Sequence, residues 1–222
     1  MLVDGPASVR LVSGKAEVFG YPMKESQRVL VRGGKRLPFF VQENSTFDVS
    51  LGANSGIAET VGNTNPPSWN KSFEAILGLQ KRPVVVAILG AADCGKSSLC
   101  TYLFNKLVDG KCRVAVLDGD VGQSDLGSSA TVGYGIASKP IAELCNIKLK
   151  NAFFVGVTSP IAALTKTLEG LAALKAEILQ QQVDYMLVNT DGWVSGDDAV
   201  RYKTDLIRAL NPDVVVAIQM QD

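Results

Sequence analysis

Short apolar runs alternate with longer amphipathic stretches in the part of the chain that follows Pro83. The short runs are rich in β-branched residues, as in strands buried on both faces, and the longer stretches have the apolar spacing of helices. Strands are predicted at Val84–Leu89, Val114–Leu117, Ala152–Val157, Tyr185–Val188 and Val214–Ile218, and helices at Lys96–Val108, Ile161–Gln181 and Asp198–Leu210. This alternation predicts an α/β domain, a parallel sheet with helices on both faces.

The first fifty residues have a different pattern, in which brief apolar stretches are separated by turn signals such as Gly33-Gly34. The predicted strands are Val9–Val12, Ala16–Phe19, Arg28–Val31, Phe39–Val41 and Phe47–Val49. Because no helical period interrupts them, residues 1–53 are predicted to form a small all-β, sandwich-like domain.

The segment between these two regions is rich in Gly, Asn, Thr and Pro from Asn54 to Pro67, which indicates a linker. Ser68 is a candidate cap for a short helix that reaches about Leu79, with Trp69 as a packing residue. The predicted division is therefore an N-terminal β domain (1–53), a linker with a short helix (54–82) and an α/β domain (83–222).

Charge and composition narrow the possible functions. The 222 residues include 22 Lys and Arg and 22 Asp and Glu, so only a local basic groove would attract nucleic acid. The four cysteines are widely spaced and indicate neither a zinc site nor a disulfide framework. No stretch resembles a membrane span or a signal peptide, so we expect an intracellular protein, cytoplasmic or nuclear, without a membrane partner. Histidine is absent, which favours a carboxylate as any general base.

A phosphate-binding loop follows the first predicted strand of the α/β domain and matches the pattern G-x-x-x-x-G-K-[ST]. Its residues are Gly90, Ala91, Ala92, Asp93, Cys94, Gly95, Lys96 and Ser97, followed by Ser98. In such a loop the backbone N–H groups surround a phosphate, the lysine reaches the outer phosphates and the hydroxyl holds Mg²⁺. The strand–loop–helix context favours nucleotide binding over a simple glycine-rich turn.

A second group of polar residues follows the predicted strand that ends at Leu117. The carboxyl ends of strands collect ligands in α/β sheets, so Asp118 and Asp120 are expected to face Lys96 and Ser97. One carboxylate can hold Mg²⁺ and the other can accept a proton from an attacking hydroxyl, with Gln123 orienting the nucleophile. The alternative is that these residues only form a turn.

Two further loops also follow predicted strands. Trp193 lies in the polar segment Asn189–Gly196, where an aromatic ring can stack on a base, although core packing explains it equally well. The hydroxyl of Thr158, in the segment Gly156–Pro160, is a weaker candidate for a phosphate contact.

Taken together, these loops resemble those of the polynucleotide 5′-hydroxyl kinase family, which includes kinases of tRNA splicing, pre-mRNA cleavage and rRNA processing. Asp120-Val121-Gly122-Gln123 is similar to the family's D-x-G-Q motif, and Thr190-Asp191-Gly192-Trp193 to its substrate clasp, T-x-G-W. Gly14–Gly20 is similar to the β-domain signature G-x-A-E-[IV]-F-G. The resemblance extends from about residue 9 to the last residue.

The resemblance implies transfer of the γ-phosphate of ATP or GTP to the 5′-hydroxyl of RNA or DNA, and possible partners among RNA-processing proteins. It implies that Lys96 steadies the phosphates, Ser97 ligates Mg²⁺ with support from Asp118, and Asp120 accepts the proton. The residues that the resemblance implies for the 5′-terminal nucleotide of the substrate are Gln123, Thr158, Thr190, Gly192 and Trp193. Those that it implies for the nucleobase of the bound ATP or GTP are Glu17, Lys35 and Arg36.

Two family features do not occur in the 222 residues: a lid with an R-x-x-x-x-R motif, which in the family follows the strand that here ends near Ile218, and a C-terminal domain after it. We therefore expect a truncated kinase domain that binds nucleotide but has little kinase activity.

Two other classes remain open. A P-loop GTPase or MinD-like ATPase switch can share the acidic strand end, but its second lysine is replaced here by Ala91 and its N-K-x-D motif is missing. A nucleotide-binding scaffold of an RNA-processing complex is the other alternative.

Overall fold

The computed structural model describes residues 1–219 and divides the chain into two units, Met1–Asn70 and the residues from Lys71 onwards. Helix α1 (Pro67–Leu77) contains this boundary. Within the described residues, no helix combines the length and the apolar composition that a membrane span requires.

The first unit consists of three small antiparallel sheets of three strands each, in the orders β6-β1-β9, β5-β2-β8 and β4-β3-β7. Its strands are β1 (Leu2–Asp4), β2 (Ala7–Ser13), β3 (Ala16–Val18), β4 (Tyr21–Pro22), β5 (Arg28–Val31), β6 (Arg36–Pro38), β7 (Phe40–Val41), β8 (Thr46–Leu51) and β9 (Gly56–Ala58). Along β2, Val9 and Leu11 are buried while Ser8 and Arg10 are partly exposed, which is the alternation of a strand with one core-facing side.

Two predictions for this region are wrong in detail. The predicted linker contains β9, which pairs with β1 in the register Val3–Ile57. Because β9 has only three residues and pairs with a strand at the start of the chain, its own sequence does not show that it forms a strand. Helix α1 begins at Pro67, whose fixed φ suits the first helical turn, so Ser68 lies inside the helix and does not cap it. Trp69 packs 6.2 Å from the ring of Phe19, in agreement with the predicted packing role.

The second unit is built on one six-stranded sheet in the order β13-β12-β11-β14-β10-β15. Its strands are β10 (Val84–Gly90), β11 (Val114–Gly119), β12 (Thr131–Ala137), β13 (Leu149–Phe154), β14 (Tyr185–Thr190) and β15 (Val214–Ile218). Its remaining helices are α2 (Lys96–Asp109), α3 (Leu164–Leu179) and α4 (Asp197–Leu210). The four strands β11, β14, β10 and β15 are parallel, so the predicted α/β class is confirmed.

The sheet is mixed, however, because β12 runs antiparallel to both β11 and β13. The sequence analysis missed β12, which contains Gly133 and Gly135 and therefore has a weak strand propensity. A Cβ built on Gly135 would lie 2.5 Å from the side chain of Ile147, so the glycine lets the neighbouring chain pack closely. The strand predicted at Ala152–Val157 lies instead at Leu149–Phe154. Its bounds are set by its pairing with β12, the strand that the sequence analysis missed.

Helices cover both faces of this sheet. Side chains of Leu117 and Val188 join α3 and α4 in one buried cluster. The alternate residues, such as Val116 and Leu187, are also buried and point to the other face, where α2 contacts β10, β11 and β14. The carboxyl ends of β10, β11 and β14 consequently meet at one edge, together with the end of β13, which runs in the direction of β11.

Candidate nucleotide-binding and phosphotransfer site

The phosphate loop joins the end of β10 to the start of α2. Gly95 has φ = 96°, a left-handed conformation that favours glycine, and α2 begins immediately after it at Lys96. No side chain among residues 1–219 caps this helix start, so its first N–H groups are available to an anion. The local geometry is that of a phosphate-binding helix N-terminus.

Lys96 turns its ammonium group back onto this loop. The side chain is buried, and Nζ donates a hydrogen bond of 2.6 Å to the carbonyl oxygen of Ala91. The loop therefore places a buried positive charge where the outer phosphates of a nucleotide would lie.

An amide that the sequence analysis did not select lies between Ser97 and Asp118. The Nδ2 atom of Asn189, near the end of β14, lies 3.3 Å from Oγ of Ser97 and 3.3 Å from Oδ1 of Asp118. Its Oδ1 is buried and accepts no hydrogen bond from the described residues. Asn189 thus leaves an unused oxygen beside the two predicted metal ligands, and only the pairing of β11 with β14 places it there.

Asp118 is fully buried and anchors the loop that follows β11. Its Oδ2 accepts hydrogen bonds from Ser124 Oγ at 2.9 Å, Asp125 N at 2.6 Å and Leu126 N at 3.1 Å. Burial raises the pKa of Asp118 to about 6, although these hydrogen bonds favour its charged form. The carboxylate that was predicted to support the metal therefore also fixes the shape of its own loop.

Asp120 differs from Asp118 because one of its oxygens is unused. Its Oδ1 accepts hydrogen bonds of 3.0 Å from the N–H groups of Gly122 and Gln123, which orients the carboxylate. Its Oδ2 accepts none from the described residues, and the side chain is partly exposed. Gln123 contributes only its backbone to this turn, and its side chain is exposed. Asp120 is thus the carboxylate with one oxygen that accepts no hydrogen bond from the described residues.

The loop after β14 lies against the phosphate loop. A Cβ built on Gly192 would lie 2.6 Å from the backbone N and Cα of Ala92, so no larger residue fits without movement. Thr190 is fully buried, and its hydroxyl donates to the carbonyl of Ile88 at 2.8 Å. In this conformation Thr190 holds the loop in place and has no hydroxyl to offer a substrate.

Trp193 is held by contacts that the sequence did not reveal. Its ring stacks on Tyr202 of α4, with centroids 5.8 Å apart and planes 25° apart, and its backbone N–H donates to Oδ1 of Asp191 at 3.0 Å. Nζ of Lys203 pairs with Oδ2 of Asp191 at 2.8 Å and donates to its carbonyl at 2.9 Å. Burial lowers the pKa of Lys203, and Asp191 opposes that shift. One side of the indole therefore packs in the core, as the alternative interpretation held.

The remaining predicted residues are more distant from this cluster or lie in the other unit. Thr158 is exposed, and its carbonyl would lie 2.9 Å from a Cβ on Gly122, which brings its loop against the Asp120 turn. In the first unit, Glu17 accepts a hydrogen bond from Gln42 at 3.3 Å. Arg36 makes two bonds to Asp4, at 2.6 and 2.8 Å, so its charge is already compensated.

These features define a class of protein. A parallel strand, a phosphate loop with a buried lysine and two strand-end carboxylates together are the nucleotide site of a P-loop phosphotransferase or hydrolase. The described residues contain no group of three Cys, Asp or Glu side chains that could hold a metal by themselves. Any Mg²⁺ here would share its ligands with nucleotide phosphates, as is usual for this ion.

The chain belongs to the family described as mRNA cleavage and polyadenylation factor CLP1 P-loop, whose model matches residues 90–222, more than half of the chain. This confirms the family resemblance that the loop motifs predicted. The fold agrees: Clp1p in its complex with Pcf11p matches with a TM-score of 0.77 and 14% identity, over 100% of this chain and 60% of that one. A second Clp1p–Pcf11p structure, which concerns ATP loss in a point mutant, matches with a TM-score of 0.72 and 16% identity, over 98% of this chain and 60% of that one.

Curated relatives carry the name polyribonucleotide 5′-hydroxyl-kinase. The protein of Pyrococcus furiosus is 32% identical over 157 residues, which are 71% of this chain and 44% of the relative. That of Methanocaldococcus jannaschii is 30% identical over 154 residues, 68% of this chain and 42% of the relative. Clp1 of Xenopus tropicalis is 28% identical over 210 residues, 86% of this chain and 47% of the relative. The chain thus spans less than half the length of these relatives.

Proposed function

We propose that this chain contains the nucleotide and catalytic site of a polyribonucleotide 5′-hydroxyl kinase, which transfers the γ-phosphate of ATP or GTP to the 5′-hydroxyl of RNA. The observation that carries the proposal is the free Oδ2 of Asp120, on a carboxylate fixed by two N–H groups at the sheet edge of the phosphate loop. A hydrolase would use such a carboxylate to activate water. Here the loop that carries Trp193 also lies beside the phosphate loop, and an aromatic ring there can bind a nucleotide whose hydroxyl is the acceptor. The names of the relatives support RNA as the acceptor.

In the proposed reaction, the phosphate loop and Lys96 bind the triphosphate and compensate its charge. Oδ2 of Asp120 accepts the proton of the 5′-hydroxyl while the oxygen of that hydroxyl forms a bond to the γ-phosphorus. The bond between that phosphorus and the β–γ bridging oxygen breaks, and the electron pair leaves with the nucleoside diphosphate. The loop that carries Trp193 orients the nucleotide that owns the hydroxyl.

We also propose that Mg²⁺ accompanies the nucleotide. Oxygen atoms of the type that this ion prefers lie close together: Oγ of Ser97 and the carboxylate of Asp118, each 3.3 Å from the Nδ2 atom of Asn189. The ion would neutralise charge on the β- and γ-phosphate oxygens. The chain itself holds these donors in place through the hydrogen bonds around Asp118.

Protein partners and cellular location are also proposals. The solved Clp1p structures are complexes with Pcf11p, which supports a role within an RNA-processing assembly. Such a role would be intracellular.

The test is label transfer from γ-labelled ATP or GTP to a 5′-OH oligoribonucleotide, measured with the full-length gene product and with the 222-residue chain. Asp120→Asn keeps an oxygen for the N–H groups of Gly122 and Gln123 but cannot accept the proton. We expect transfer to fall by about 10²–10⁴-fold while nucleotide affinity is retained. Asp205→Asn, a change on the exposed surface of α4, is the matched control and should have no effect.

The other function classes give different results. Nucleotide turnover that ignores a 5′-OH end and responds to a protein partner would indicate a switch ATPase or GTPase. Tight nucleotide binding without any transfer by the full-length protein would indicate a scaffold. Undiminished transfer by Asp120→Asn would remove Asp120 from the proposed role.

A further inference from the structure

Phe154 is an exposed aromatic residue at the same edge of the sheet as the phosphate loop. It is the last residue of β13, and 68% of its surface is accessible. Every other Phe, Tyr and Trp among residues 1–219 is buried or only partly exposed. Because removing a phenyl ring from water is favourable, a ligand that covers the exposed ring of Phe154 would gain binding free energy. Phe154 is therefore a candidate contact residue.

The register of the sheet places Phe154 level with Asp120. Phe154 pairs with Thr131 of β12, whereas Gly133 of β12 pairs with Asp118 of β11. Phe154 therefore lies two residues beyond Asp118 towards the edge, at the level where the chain reaches Asp120. Two strand spacings separate β13 from β11, which is about 10 Å.

One loop, residues 155–160, lies next to both positions. Gly122, in the Asp120 turn, packs against the carbonyl of the exposed Thr158. Gly156 of the same loop lies against Phe154: a Cβ there would be 3.5 Å from the ring and 3.8 Å from Nζ of Lys166. The loop of Gly156 and Thr158 therefore contacts both the Asp120 turn and the ring of Phe154.

Lys166 supplies a positive charge over one face of the ring, which leaves the opposite face for a stacked base. Its Nζ lies 5.6 Å from the ring centroid of Phe154, and the side chain is exposed. It forms no ion pair within the described part of the chain, in contrast to Lys203 or Arg36. An aromatic face with an uncompensated cation is the combination that binds single-stranded nucleic acid.

We propose that Phe154 and Lys166 form a second nucleotide subsite, in which a base downstream of the reacting 5′ end stacks on Phe154 and a backbone phosphate pairs with Lys166. This inference rests on the proposed kinase function. It assigns the sheet edge between Asp120 and β13 to the path of the RNA strand. The subsite increases affinity for acceptors longer than one nucleotide and does not take part in the transfer itself.

The test compares acceptors of different length with the full-length gene product: uridine 3′-monophosphate, a dinucleotide and a pentanucleotide, all with a free 5′-hydroxyl. Phe154→Ala should raise KM for the pentanucleotide by about fivefold to a hundredfold, the effect of losing one base stack. KM for the mononucleotide and kcat for all acceptors should stay unchanged. Phe154→Tyr keeps an aromatic face and should restore the wild-type KM.

Lys166→Ala gives an independent measurement. Binding of a labelled pentanucleotide should depend less steeply on salt, with the slope of log K against log salt reduced by about 0.7 for one lost phosphate contact. Lys111→Ala is the matched control, because this exposed lysine follows the far end of α2 and should leave the slope unchanged.

The failure of this inference differs from a failure of the proposed function. Suppose that the wild type transfers phosphate, and that the ratio of KM for the pentanucleotide to KM for the mononucleotide in Phe154→Ala lies within twofold of the wild-type ratio. The subsite is then refuted and the kinase function is not. If the wild type transfers no phosphate to any acceptor, the kinase assignment fails and the subsite fails with it.

Discussion

Gly192 and Ala92 bring two loops of the site into direct backbone contact: a Cβ on Gly192 would lie 2.6 Å from both N and Cα of Ala92. The loop that carries Trp193 and the loop that binds the phosphates therefore form one packed unit. Movement of either loop has to displace the other.

Substitution of Gly192 tests this contact. Gly192→Ala should push the phosphate loop away from its binding geometry and lower phosphate transfer by about tenfold to a hundredfold, because small displacements of binding groups are costly. Calorimetric titration with nucleotide should show a parallel loss of affinity. Gly56→Ala, where a Cβ meets nothing within 4 Å, serves as the control. Wild-type affinity in the Gly192 variant would contradict the packing.

Asn189 should affect Mg²⁺-dependent binding more than binding of the nucleotide alone. Its amide contacts both Ser97 and Asp118, so Asn189→Ala removes the group that holds these two oxygen ligands together. We expect nucleotide affinity in Mg²⁺ to fall by about tenfold to a hundredfold, a usual cost for removing a group behind metal ligands. Affinity in EDTA should change little.

A matched control for Asn189 is available in the same unit. Asn105 is also a buried asparagine, but it lies on the third turn of α2 and binds the backbone of Ile141. Asn105→Ala should lower stability without altering the ratio of affinities in Mg²⁺ and EDTA. An equal effect of both variants on that ratio would show that Asn189 has no particular relation to the metal.

Lys203 should matter first for stability. Its side chain is 10% exposed and that of Asp191 is 4% exposed, so Lys203→Met leaves a buried carboxylate without its cation. Denaturant unfolding should show a loss of about 3–5 kcal/mol. The double variant Asp191→Asn/Lys203→Met removes both charges and should recover part of that loss. A single variant as stable as the wild type would mean that the pair is not buried in solution.

Asp213 should produce an acid-dependent stability. Burial by itself would raise the pKa of Asp213. The hydrogen bonds from Lys81 at 2.6 Å and from Val85 N at 2.9 Å lower the pKa by more than burial raises it, so the net shift is downward. A carboxyl group with a lowered folded pKa stabilises the protein above its ordinary pKa near 4 and loses this contribution as the pH falls through the folded pKa.

The corresponding measurement is the thermal midpoint of the wild type and Asp213→Asn across pH 2–7. The variant should be less stable by about 1–3 kcal/mol at pH 7, and the difference should shrink below pH 4. Asp205→Asn, whose side chain is 55% exposed, should show no such pH dependence. A difference that stayed constant from pH 7 to pH 2 would exclude the ionised carboxylate as its source.

Much of the candidate site could be predicted because its residues directly follow buried strands. The phosphate loop after β10 and the two carboxylates after β11 are local patterns, and the rule that parallel strands end at one edge brings them together. Asn189 escaped this reasoning, since an asparagine at a strand end has many uses. Its role depends on the side chains of Ser97 on α2 and Asp118 on β11, which only the folded unit brings beside it.

The sequence by itself determined the α/β class, the position of the nucleotide loop and the family, since short motifs and hydrophobic periods depend on neighbours along the chain. Only the tertiary structure decided that the sheet is mixed, that Thr190 is buried, that Trp193 stacks on Tyr202 and that Phe154 is exposed beside Lys166. These features depend on contacts between residues far apart in sequence. Close packing, which leaves Gly192 no room for a side chain against Ala92, fixes such contacts only when the whole unit is assembled.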